Sequence, residues 1–450
     1  MRPPDEPTAT DRHKPSDEPS SLPLVWKLRV VYTGGECIVR SESVSVRGTS
    51  PVALGRGTPT IAASRRILVD DPKVSREHAQ VRLDGSQLVA VDLGSKNGSS
   101  VNGRRLVSRE PRILTDGDVL RLGDSFVIVR HEAAAVPDAE IPSLVGVSLA
   151  ARSLRSAIAR CAIADCMVLL LGETGTGKGA AASAIHGLSQ RSGQLVAVNC
   201  AAVPTTLAEG AFFGVKPGAY TGAVERAGYF MEANDGTLLL DEVGEMPLDM
   251  QPKLLQAIET QAAKPVGGAR PVPCNARIVA ATNRDLQAAM RAGTFREDLY
   301  HRLSAVVIRL PSLRERREDI LLLAAHLAGD SFRPSPSLVA AMLRYAWPGN
   351  VREVANIVKS VRYGDESDVI ARLSSPSAEP GAGGTERGTV PSRRWQSGDP
   401  PPTREEIIAL LRQYGSLNRI DKEIGYSRRQ FKRWMDGYGI ELAAQSQEAE

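Results

Sequence analysis

The 450-residue chain is predicted to be a multidomain protein whose three domains belong to different fold classes: an all-β sandwich, an α/β domain and a small all-α domain. Residues 24–131 alternate short apolar and polar runs that Gly, Asp and Asn separate, which is typical of a sandwich. Residues 144–363 alternate apolar runs with helical patterns, which predicts a parallel sheet. Residues 403–441 carry three short amphipathic patterns, which favour helices.

The remaining stretches separate or flank these domains. They are rich in Pro, Ser, Gly and Ala or in charged residues, and they lack hydrophobic periodicity. We therefore expect a disordered tail at 1–23, a short linker at 132–143, a flexible linker at 364–402 and a tail at 442–450.

Composition limits the kind of protein. The 56 basic and 52 acidic residues give a net charge of +4, which is too mild to indicate nucleic-acid binding by itself. The five cysteines lack metal-ligand spacing, and no signal peptide or long apolar span is visible. We expect a reduced cytoplasmic protein without a membrane partner.

The chain is organised around a glycine-rich turn that follows the apolar run Met167–Leu171 and precedes an Ala-rich helical pattern. A strand, a glycine turn and a helix start in that order place backbone N–H groups and a lysine around nucleotide phosphates. We therefore predict ATP or GTP binding. The predicted phosphate-binding residues are Gly172, Glu173, Thr174, Gly175, Thr176, Gly177, Lys178 and Gly179. Gly179 stands where many such loops have a magnesium-binding Ser or Thr, so the metal must depend on another residue.

Polar side chains follow three further buried strands. Asp241 and Glu242 end the apolar run 236–242, and Asn199 and Asn283 end two other runs. Asp241 is predicted to hold Mg²⁺ and Glu242 to polarise the attacking water, because hydrolysis needs an oriented nucleophile and neutralised phosphate charge. Asn283 is placed to sense the γ-phosphate, since ligands bind at the carboxyl ends of parallel strands.

Three loop motifs of the sandwich come in order: Leu54-Gly55-Arg56, then Ser75-Arg76-Glu77-His78, then a turn from Asp92 to Gly98. With these motifs the region resembles a forkhead-associated (FHA) domain, which reads phosphothreonine peptides. Guanidinium and hydroxyl groups on rigid loops match a dianionic phosphate with three acceptor oxygens. The resemblance implies that phosphate is contacted by Arg56, Ser75 and Arg76, and that the peptide backbone is held by Asn97 with help from Lys96. His78 is expected to pack the loops.

Two stretches have no role in a minimal nucleotide-binding core. A Gly-flanked loop spans 218–223, and 295–303 carries Arg296 and Arg302 six residues apart. With the motif 347–353, they make the central domain resemble the AAA+ module of bacterial enhancer-binding proteins, which activate sigma-54 RNA polymerase. Departures include Tyr220 where phenylalanine is usual and Gly179 where glutamate is usual.

The resemblance implies roles for these positions. Arg296 and Arg302 would reach the ATP of a neighbouring copy, Arg352 would be a sensor in the lid, and Asn199 would restrain Glu242. An arginine supplied in trans requires a homo-oligomer, from dimer to a hexameric ring in this family. The loop predicted to contact sigma-54 consists of Gly218, Ala219, Tyr220, Thr221, Gly222 and Ala223.

The last predicted helix, Ser427–Gly437, is strongly basic and begins at a natural N-cap. This pattern resembles the Fis-type helix-turn-helix that ends many enhancer-binding proteins. Such a helix would meet phosphates and bases in the major groove of enhancer DNA. The predicted DNA-binding residues are Ser427, Arg428, Arg429, Gln430, Lys432 and Arg433.

Together these features predict a sigma-54-dependent transcriptional activator that uses ATP and Mg²⁺. It would remodel the sigma-54 RNA polymerase holoenzyme under the control of a phosphothreonine protein or a Ser/Thr kinase. Two alternatives stay open: an AAA+ remodeller of another target, and a non-hydrolysing DNA-bound phosphopeptide adaptor.

Overall fold

The computed structural model describes residues 23–38, 43–48, 50–57, 65–134, 137–220, 223–329, 332–374, 402, 407 and 428–437. The chain forms two compact units, Met1–Ser377 and Ala378–Glu450, which are described separately. The predicted tails at 1–23 and 442–450 lie outside the described residues, except for Pro23.

The N-terminal part of the first unit is a sandwich of two sheets, as predicted. One sheet has the strand order β2-β1-β12-β11-β8-β9 with β3 paired to β1, and the other has the order β10-β7-β6-β4-β5. The pairs are antiparallel except for β4 with β5. The strands are β1 Leu24–Thr33, β2 Glu36–Cys37, β3 Ser43–Val46, β4 Val52–Gly55, β5 Arg65–Leu68, β6 Ala79–Asp84, β7 Gln87–Asp92, β8 Ser99–Val101, β9 Arg104–Arg105, β10 Pro111–Leu114, β11 Val119–Leu122 and β12 Ser125–Ala133.

A five-stranded parallel sheet with the order β14-β15-β18-β13-β19 forms the centre of the α/β domain. Its strands are continuous apolar runs because helices cover both faces of a parallel sheet. This confirms the predicted α/β class. The strands are β13 Val168–Leu171, β14 Leu195–Asn199, β15 Thr237–Asp241, β18 Arg277–Thr282 and β19 Val306–Arg309, and a separate ribbon pairs β16 Ala262–Ala263 with β17 Val272–Pro273.

Helices flank this sheet and continue into a helical lid from α8 onward. None of the helices in the described part of the chain is long and apolar enough to cross a membrane. The helices are α1 Leu149–Ile163, α2 Lys178–Leu188, α3 Thr205–Phe213, α4 Tyr229–Glu232, α5 Gln251–Thr260, α6 Leu286–Arg291, α7 Glu297–Leu303, α8 Ile320–Ala328, α9 Pro336–Arg344, α10 Asn350–Tyr363 and α11 Glu366–Ser374.

The lid extends further than the sequence predicted. Helix α11 lies within the stretch 364–402 that was expected to be a flexible linker. Val369 and Leu373, four residues apart on one helical face, are buried in the lid core. Ile370 packs against the same core, so three apolar residues dock this short helix. The helical lid therefore continues past residue 363, where the sequence predicted its boundary.

In the second unit, one helix of some length is described: α12, Arg428–Gly437. Phe431 and Met435 are buried four residues apart, which gives the helix one apolar face. The predicted helix over 427–437 is therefore present from Arg428, whereas the two predicted helices before it lie outside the described residues except for Ile407.

Candidate functional site

The glycine turn after β13 has the predicted strand, turn and helix geometry. Gly175 and Gly177 have φ of 80° and 106°, in the left-handed region that favours glycine. The buried Lys178 side chain folds back over the turn, and its Nζ donates to the Gly172 carbonyl at 3.0 Å. The turn therefore surrounds its lysine in the way that a phosphate loop requires.

The carboxyl ends of three strands bring the predicted catalytic side chains to this lysine. Glu242 Oε1 lies 3.4 Å from Lys178 Nζ. The Asn283 backbone N–H donates to Glu242 Oε2 at 3.1 Å, and its Nδ2 donates to Thr174 Oγ1 at 3.0 Å. An acid, an amide and a cation thus meet at one edge of the sheet, where ligands of such sheets bind.

The backbone at the end of β15 is unusual. Glu242 has φ of 52°, in the left-handed region that non-glycine residues rarely occupy. Its N–H donates to Asp241 Oδ1 at 3.1 Å. Asn199 lies beside Asp241 in the strand register, and its side chain accepts a hydrogen bond from the Ala201 N–H. Strained backbone of this kind clusters at functional sites.

The lid holds the phosphate loop from the other side. Arg314 donates to both carboxylate oxygens of Glu173, one of them at 2.9 Å, and Asn350 Nδ2 donates to the same carboxylate at 3.1 Å. These partners hold the pKa of Glu173 below its usual range, against the effect of partial burial. Arg316 Nη2 donates to the Thr176 carbonyl at 3.1 Å. Sequence analysis assigned no role to Arg314, Arg316 or Asn350.

Gly175 marks the closest approach between lid and loop. A Cβ at this position would lie 2.2 Å from the Gly349 carbonyl oxygen. The neighbouring Val351 N–H donates to the Gly175 carbonyl at 2.9 Å. Gly175 therefore serves the lid contact as well as the turn, a constraint that the sequence motif alone does not reveal.

A cleft of about 1030 Å³ opens beside the loop. It is lined by Gly172 and Glu173 of the loop, by Asn283 and by Arg314 of the lid. Sites for small molecules are typically cavities of this size range with a few convergent polar groups. The cleft reaches the carboxyl end of β18 at Thr282 and Asn283.

The three arginines predicted for the active site lie in different places. Arg296 and Arg302 are exposed at the two ends of α7, and Arg296 is paired with Asp298 at 2.7 Å. Arg352 is exposed on α10, next to the Val351 that contacts the phosphate loop. Arg352 is thus near the loop of its own chain, whereas Arg296 and Arg302 are turned outward on the surface.

The loop predicted to contact a partner protein projects from a well-fixed base. Val215 bridges to Arg226 and to Val266, and Lys216 is paired with Glu225. Tyr220 is 60% exposed at the tip, and it follows Gly218 and Ala219 in the loop. Thr221 and Gly222 lie outside the described residues, and Ala223 returns through an N–H bond to the Tyr220 carbonyl at 2.9 Å.

The loops at one end of the sandwich bring the predicted phosphopeptide residues together. The Arg56 N–H donates to the Ser75 carbonyl at 3.1 Å, and the Lys96 N–H donates to Ser75 Oγ at 3.2 Å. Asn97 Nδ2 donates to the Lys73 carbonyl at 2.7 Å, and the side chains of Arg56, Lys96 and Asn97 are exposed.

Buried groups beneath these loops fix their shape. A Cβ on Gly55 would lie 2.0 Å from the Arg76 carbonyl oxygen, so only glycine allows this approach. His78 accepts at Nδ1 from the Ser75 N–H at 3.0 Å and meets the Gly98 carbonyl at 3.2 Å through Nε2. Burial lowers the pKa of His78, which is consistent with a neutral packing histidine.

On helix α12, the described side chains of Arg429, Lys432 and Arg433 are exposed. Arg429 and Arg433, four residues apart, share the face opposite the buried Phe431 and Met435, and Lys432 flanks that apolar face. Gln430 is half-buried, and Ser427 and the Arg428 side chain lie outside the described residues. A basic, solvated helix face is present, as the sequence predicted.

The acids of the site suit a magnesium ion that is held mainly by its substrate. Among the described residues, no group of three or more His, Cys, Asp or Glu side chains could hold a metal. Magnesium commonly takes one or two carboxylates together with substrate phosphates and water. Asp241, at the end of β15, fits that pattern.

Comparison with known families divides the chain as the fold does. The sigma-54 interaction domain matches residues 144–309, and an AAA+ ATPase lid domain matches residues 314–374. The FHA domain matches residues 52–123. The FHA sandwich and the AAA+ domain with its lid are therefore present, and the family boundary of the lid agrees with the end of α11.

Relatives of known name are transcription regulators. The anaerobic nitric oxide reductase transcription regulator NorR of Vibrio vulnificus (strain YJ016) is 45% identical over 246 residues, which cover 52% of this chain and 47% of NorR. The chain thus spans about half the length of NorR. The regulatory protein AtoC of Escherichia coli (strain K12) is 40% identical, with 61% and 63% covered.

A third relative is covered more fully. The pathogenicity locus probable regulatory protein WtsA of Pantoea stewartii subsp. stewartii is 46% identical over 221 residues, which cover 47% of this chain and 68% of WtsA. The sigma-54 interaction domain, residues 144–309, contains the phosphate loop and the strand-end acids described above. The chain therefore belongs to the family of transcription regulators that carry the sigma-54 interaction domain, here joined to an FHA domain.

Proposed function

We propose that the protein is a sigma-54-dependent transcriptional activator that hydrolyses ATP to remodel the sigma-54 RNA polymerase holoenzyme into an open complex. The observation that carries this proposal is the meeting of Lys178, Glu242 and Asn283 at one edge of the parallel sheet. A domain that only bound DNA and peptide would need no such combination.

In the proposed reaction, the backbone N–H groups of the phosphate loop and Lys178 bind the phosphates. Glu242 orients the attacking water and accepts its proton, and Asn283 reports the state of the γ-phosphate through its hydrogen bond to Glu242. Positioning and charge stabilisation provide most of the catalysis in phosphoryl transfer. The Lys178–Glu242 pair must separate when phosphate takes its place beside the lysine.

Asp241 would hold Mg²⁺ together with the nucleotide phosphates. A bound magnesium ion supplies neutralisation of charge on the β- and γ-phosphates. Asp241 needs no other protein carboxylate for this role because the phosphates complete the coordination sphere.

Active sites are proposed to be completed between copies of the chain. Arg296 and Arg302 are exposed at the two ends of α7, and Arg296 is paired with the exposed Asp298, which supports a role at a neighbouring ATP. Such an arginine contributes about 10³ to 10⁵ in rate in other phosphoryl-transfer systems. Hydrolysis therefore requires a homo-oligomer, and a hexameric ring is proposed.

The exposed tip at Tyr220 is the proposed contact with sigma-54. Its base is fixed by the bridges of Val215 to Arg226 and to Val266. An exposed aromatic side chain on a fixed base supports a role as a probe of another protein.

The FHA loops are proposed to read phosphothreonine on a partner protein or on this protein, under the control of a Ser/Thr kinase. The convergence of Arg56, Ser75 and Asn97 supports this assignment. A guanidinium and a hydroxyl group can bind the phosphate, and an amide can bind the peptide backbone. The basic face of α12 is proposed to bind enhancer DNA through Arg429, Lys432 and Arg433. We place the protein in the cytoplasm.

The proposal is tested by ATP turnover in wild type, Glu242→Gln and Glu259→Gln. Glu259 is exposed on α5 and serves as a matched control. We expect Glu242→Gln to lower turnover by about 10² to 10⁴, with nucleotide still bound, and Glu259→Gln to behave as wild type. Equal turnover in all three would refute hydrolysis at this site, and no turnover in wild type would favour the adaptor alternative.

Capture of purified sigma-54 by the protein with ADP and aluminium fluoride separates the activator from a remodeller of another target. The activator should retain sigma-54 only with this transition-state mimic. Failure to retain it while ATP turnover is normal would favour another target.

A further inference from the structure

The outer face of the FHA sheet is not solvated but packs on the AAA+ lid. Successive residues of β12 alternate: Val127 and Val129 belong to the sandwich core, whereas Phe126 and Ile128 belong to a cluster shared with the lid. Helix α8 of the lid contributes the buried Ile320, Leu321 and Leu323 to the same cluster. All four β12 side chains are almost fully buried, so this strand has an apolar partner on each face.

Tyr32 ties the two domains together within this cluster. Its side chain is 1% exposed, and its ring meets Phe126 edge-on at 6.1 Å between centroids. Its hydroxyl donates to the carbonyl of Pro334, in the lid segment before α9, at 2.7 Å. A buried hydroxyl without a partner would be costly, so this bond fixes the position of one domain on the other.

A buried charge from the lid reaches into the same contact. Glu318 lies on the short 3₁₀ turn before α8, and its side chain has no exposed surface. Arg130 of β12 places its Nε 3.3 Å from Glu318 Oε1, and its Nη2 donates to the Glu315 carbonyl at 3.0 Å. Buried charges in proteins are paired, and here the partner belongs to the other domain.

A second buried acid makes the reciprocal contact from the FHA side. Glu132 of β12 is paired with Lys27 of β1 at 2.9 Å and with Arg152 of α1 at 3.5 Å. Glu132 is 4% exposed. The FHA sheet therefore contacts the start of the α/β domain as well as the lid, through buried groups of opposite charge.

The lid segment that receives these contacts also holds the phosphate loop. Residues 313–319 carry Arg314 and Arg316, which donate to Glu173 and to the Thr176 carbonyl on one side. The same segment carries Glu315 and Glu318, which meet Arg130 on the other side. This short segment therefore contacts both the FHA sheet and the phosphate loop directly.

We infer that the FHA face formed by Tyr32, Phe126, Ile128 and Arg130 is an intramolecular regulatory interface that holds segment 313–319 against the phosphate loop and thereby raises nucleotide affinity. The inference rests on the proposed nucleotide binding at that loop and names a means of its regulation. When segment 313–319 is fixed by both domains, it keeps the phosphate loop in its binding shape. Loosening the FHA contact should therefore lower the affinity of the loop for nucleotide.

The docked face and the predicted peptide-binding loops are separate surfaces of the FHA domain. The FHA contacts use the strands β1 and β12, whereas the predicted peptide residues lie on loops at the end of the sandwich, so both can be engaged at once. A ligand on the loops therefore acts through a change in how firmly the sheet face is docked, and reciprocity requires that nucleotide also tightens the docking.

The test compares Ile128→Ala with Val127→Ala in the full chain. Both remove apolar atoms from adjacent positions of β12, but Ile128 faces the lid and Val127 faces the sandwich core. For Ile128→Ala we expect amide hydrogen exchange in α8 to accelerate about tenfold and the Kd for fluorescently labelled ADP to rise about fivefold or more. For Val127→Ala we expect exchange to rise within the sandwich and the ADP Kd to stay within about twofold of wild type.

Tyr32→Phe provides a variant that keeps the packing, since it removes a single oxygen atom. It should raise exchange in α8 and the ADP Kd in the same direction as Ile128→Ala. Wild-type exchange in α8 in both variants would refute docking, and faster exchange with unchanged ADP affinity would refute the coupling. If wild-type protein bound no ADP, the proposed function itself would fail, whereas exchange in α8 would still decide whether the face is docked.

Discussion

At the scale of single residues, Gly55 shows how one missing side chain shapes the phosphopeptide loops. A Cβ there would meet the Arg76 carbonyl oxygen at 2.0 Å and the Ser75 carbonyl oxygen at 3.1 Å, and both are rigid backbone atoms. Gly55→Ala must therefore push apart the loops that carry Arg56 and Ser75. The sequence marks this glycine only as part of a motif.

We predict that Gly55→Ala destabilises the FHA domain by about 1–3 kcal/mol and abolishes binding of a phosphothreonine peptide. Differential scanning fluorimetry and fluorescence anisotropy measure the two effects. Gly187→Ala is the control, because α2 is helical there and no atom lies within 4 Å of the added Cβ. It should be neutral or slightly stabilising, and full peptide binding by Gly55→Ala would contradict the loop geometry.

The buried Glu318 gives the domain contact a dependence on pH. Burial raises the pKa of its carboxyl to about 7, and Asp319 adds to the shift, while Arg130 and Arg29 oppose it. Between the ordinary value of 4.5 and about 7, the folded state holds a proton that the unfolded chain has released. Stability from this group is therefore full below 4.5 and is lost as the pH rises through about 7.

We predict that the unfolding temperature of wild type falls relative to that of Glu318→Gln as the pH is raised from 5 to 8. The comparison between variants is needed because the neutral, buried His78 acts in the opposite sense: its lowered pKa costs stability as the pH falls below its ordinary range. Parallel pH profiles of the two proteins would show that Glu318 does not exchange a proton in this window.

At the scale of elements, the strands around the phosphate loop could be predicted well because local signals determine them. Continuous apolar runs followed by Asp241, Asn199 or Asn283 are typical of parallel strands with polar ends. The convergence of Glu242 and Asn283 followed from sheet geometry. Their hydrogen bond, and the lid arginines Arg314 and Arg316, depend on tertiary packing that no spacing encodes.

The docked FHA face was missed although the sequence carried a signal for it. The run Phe126–Val129 is apolar at four successive positions, whereas a sandwich strand with one solvated face alternates. Such a run predicts cover on both faces, but it does not identify the cover. Helix α11 was missed because its apolar residues Val369, Ile370 and Leu373 fill little more than one helical turn in a polar segment, which is too short for a clear periodicity.

The loop at Tyr220 is an element whose function depends on its tip. We predict that Tyr220→Ala leaves ATP turnover within about twofold of wild type and abolishes capture of sigma-54, because Tyr220 is 60% exposed and lies outside the catalytic cluster. Tyr220→Phe keeps the ring and should retain capture. Loss of ATP turnover in Tyr220→Ala would mean that the tip supports the active site and does not act as a probe.

At the scale of the whole molecule, the proposed active site needs two copies of the chain. Glu242→Gln removes the base from one side of an interface, and Arg296→Ala removes the arginine from the other side. Each variant alone should be nearly inactive. Their mixture should regain ATP turnover, because some interfaces then combine an intact Glu242 with an intact Arg296. A mixture as inactive as its components would contradict catalysis across an interface.

The measurement that tests the central claim most directly is promoter opening in a purified system. Wild-type protein, ATP, sigma-54 holoenzyme and a sigma-54 promoter should give melted DNA that reacts with permanganate, and a phosphothreonine peptide should change the yield. Glu242→Gln and Tyr220→Ala should give none. An assembly that cleaves ATP at the normal rate but never melts the promoter, with or without the peptide, would contradict the account.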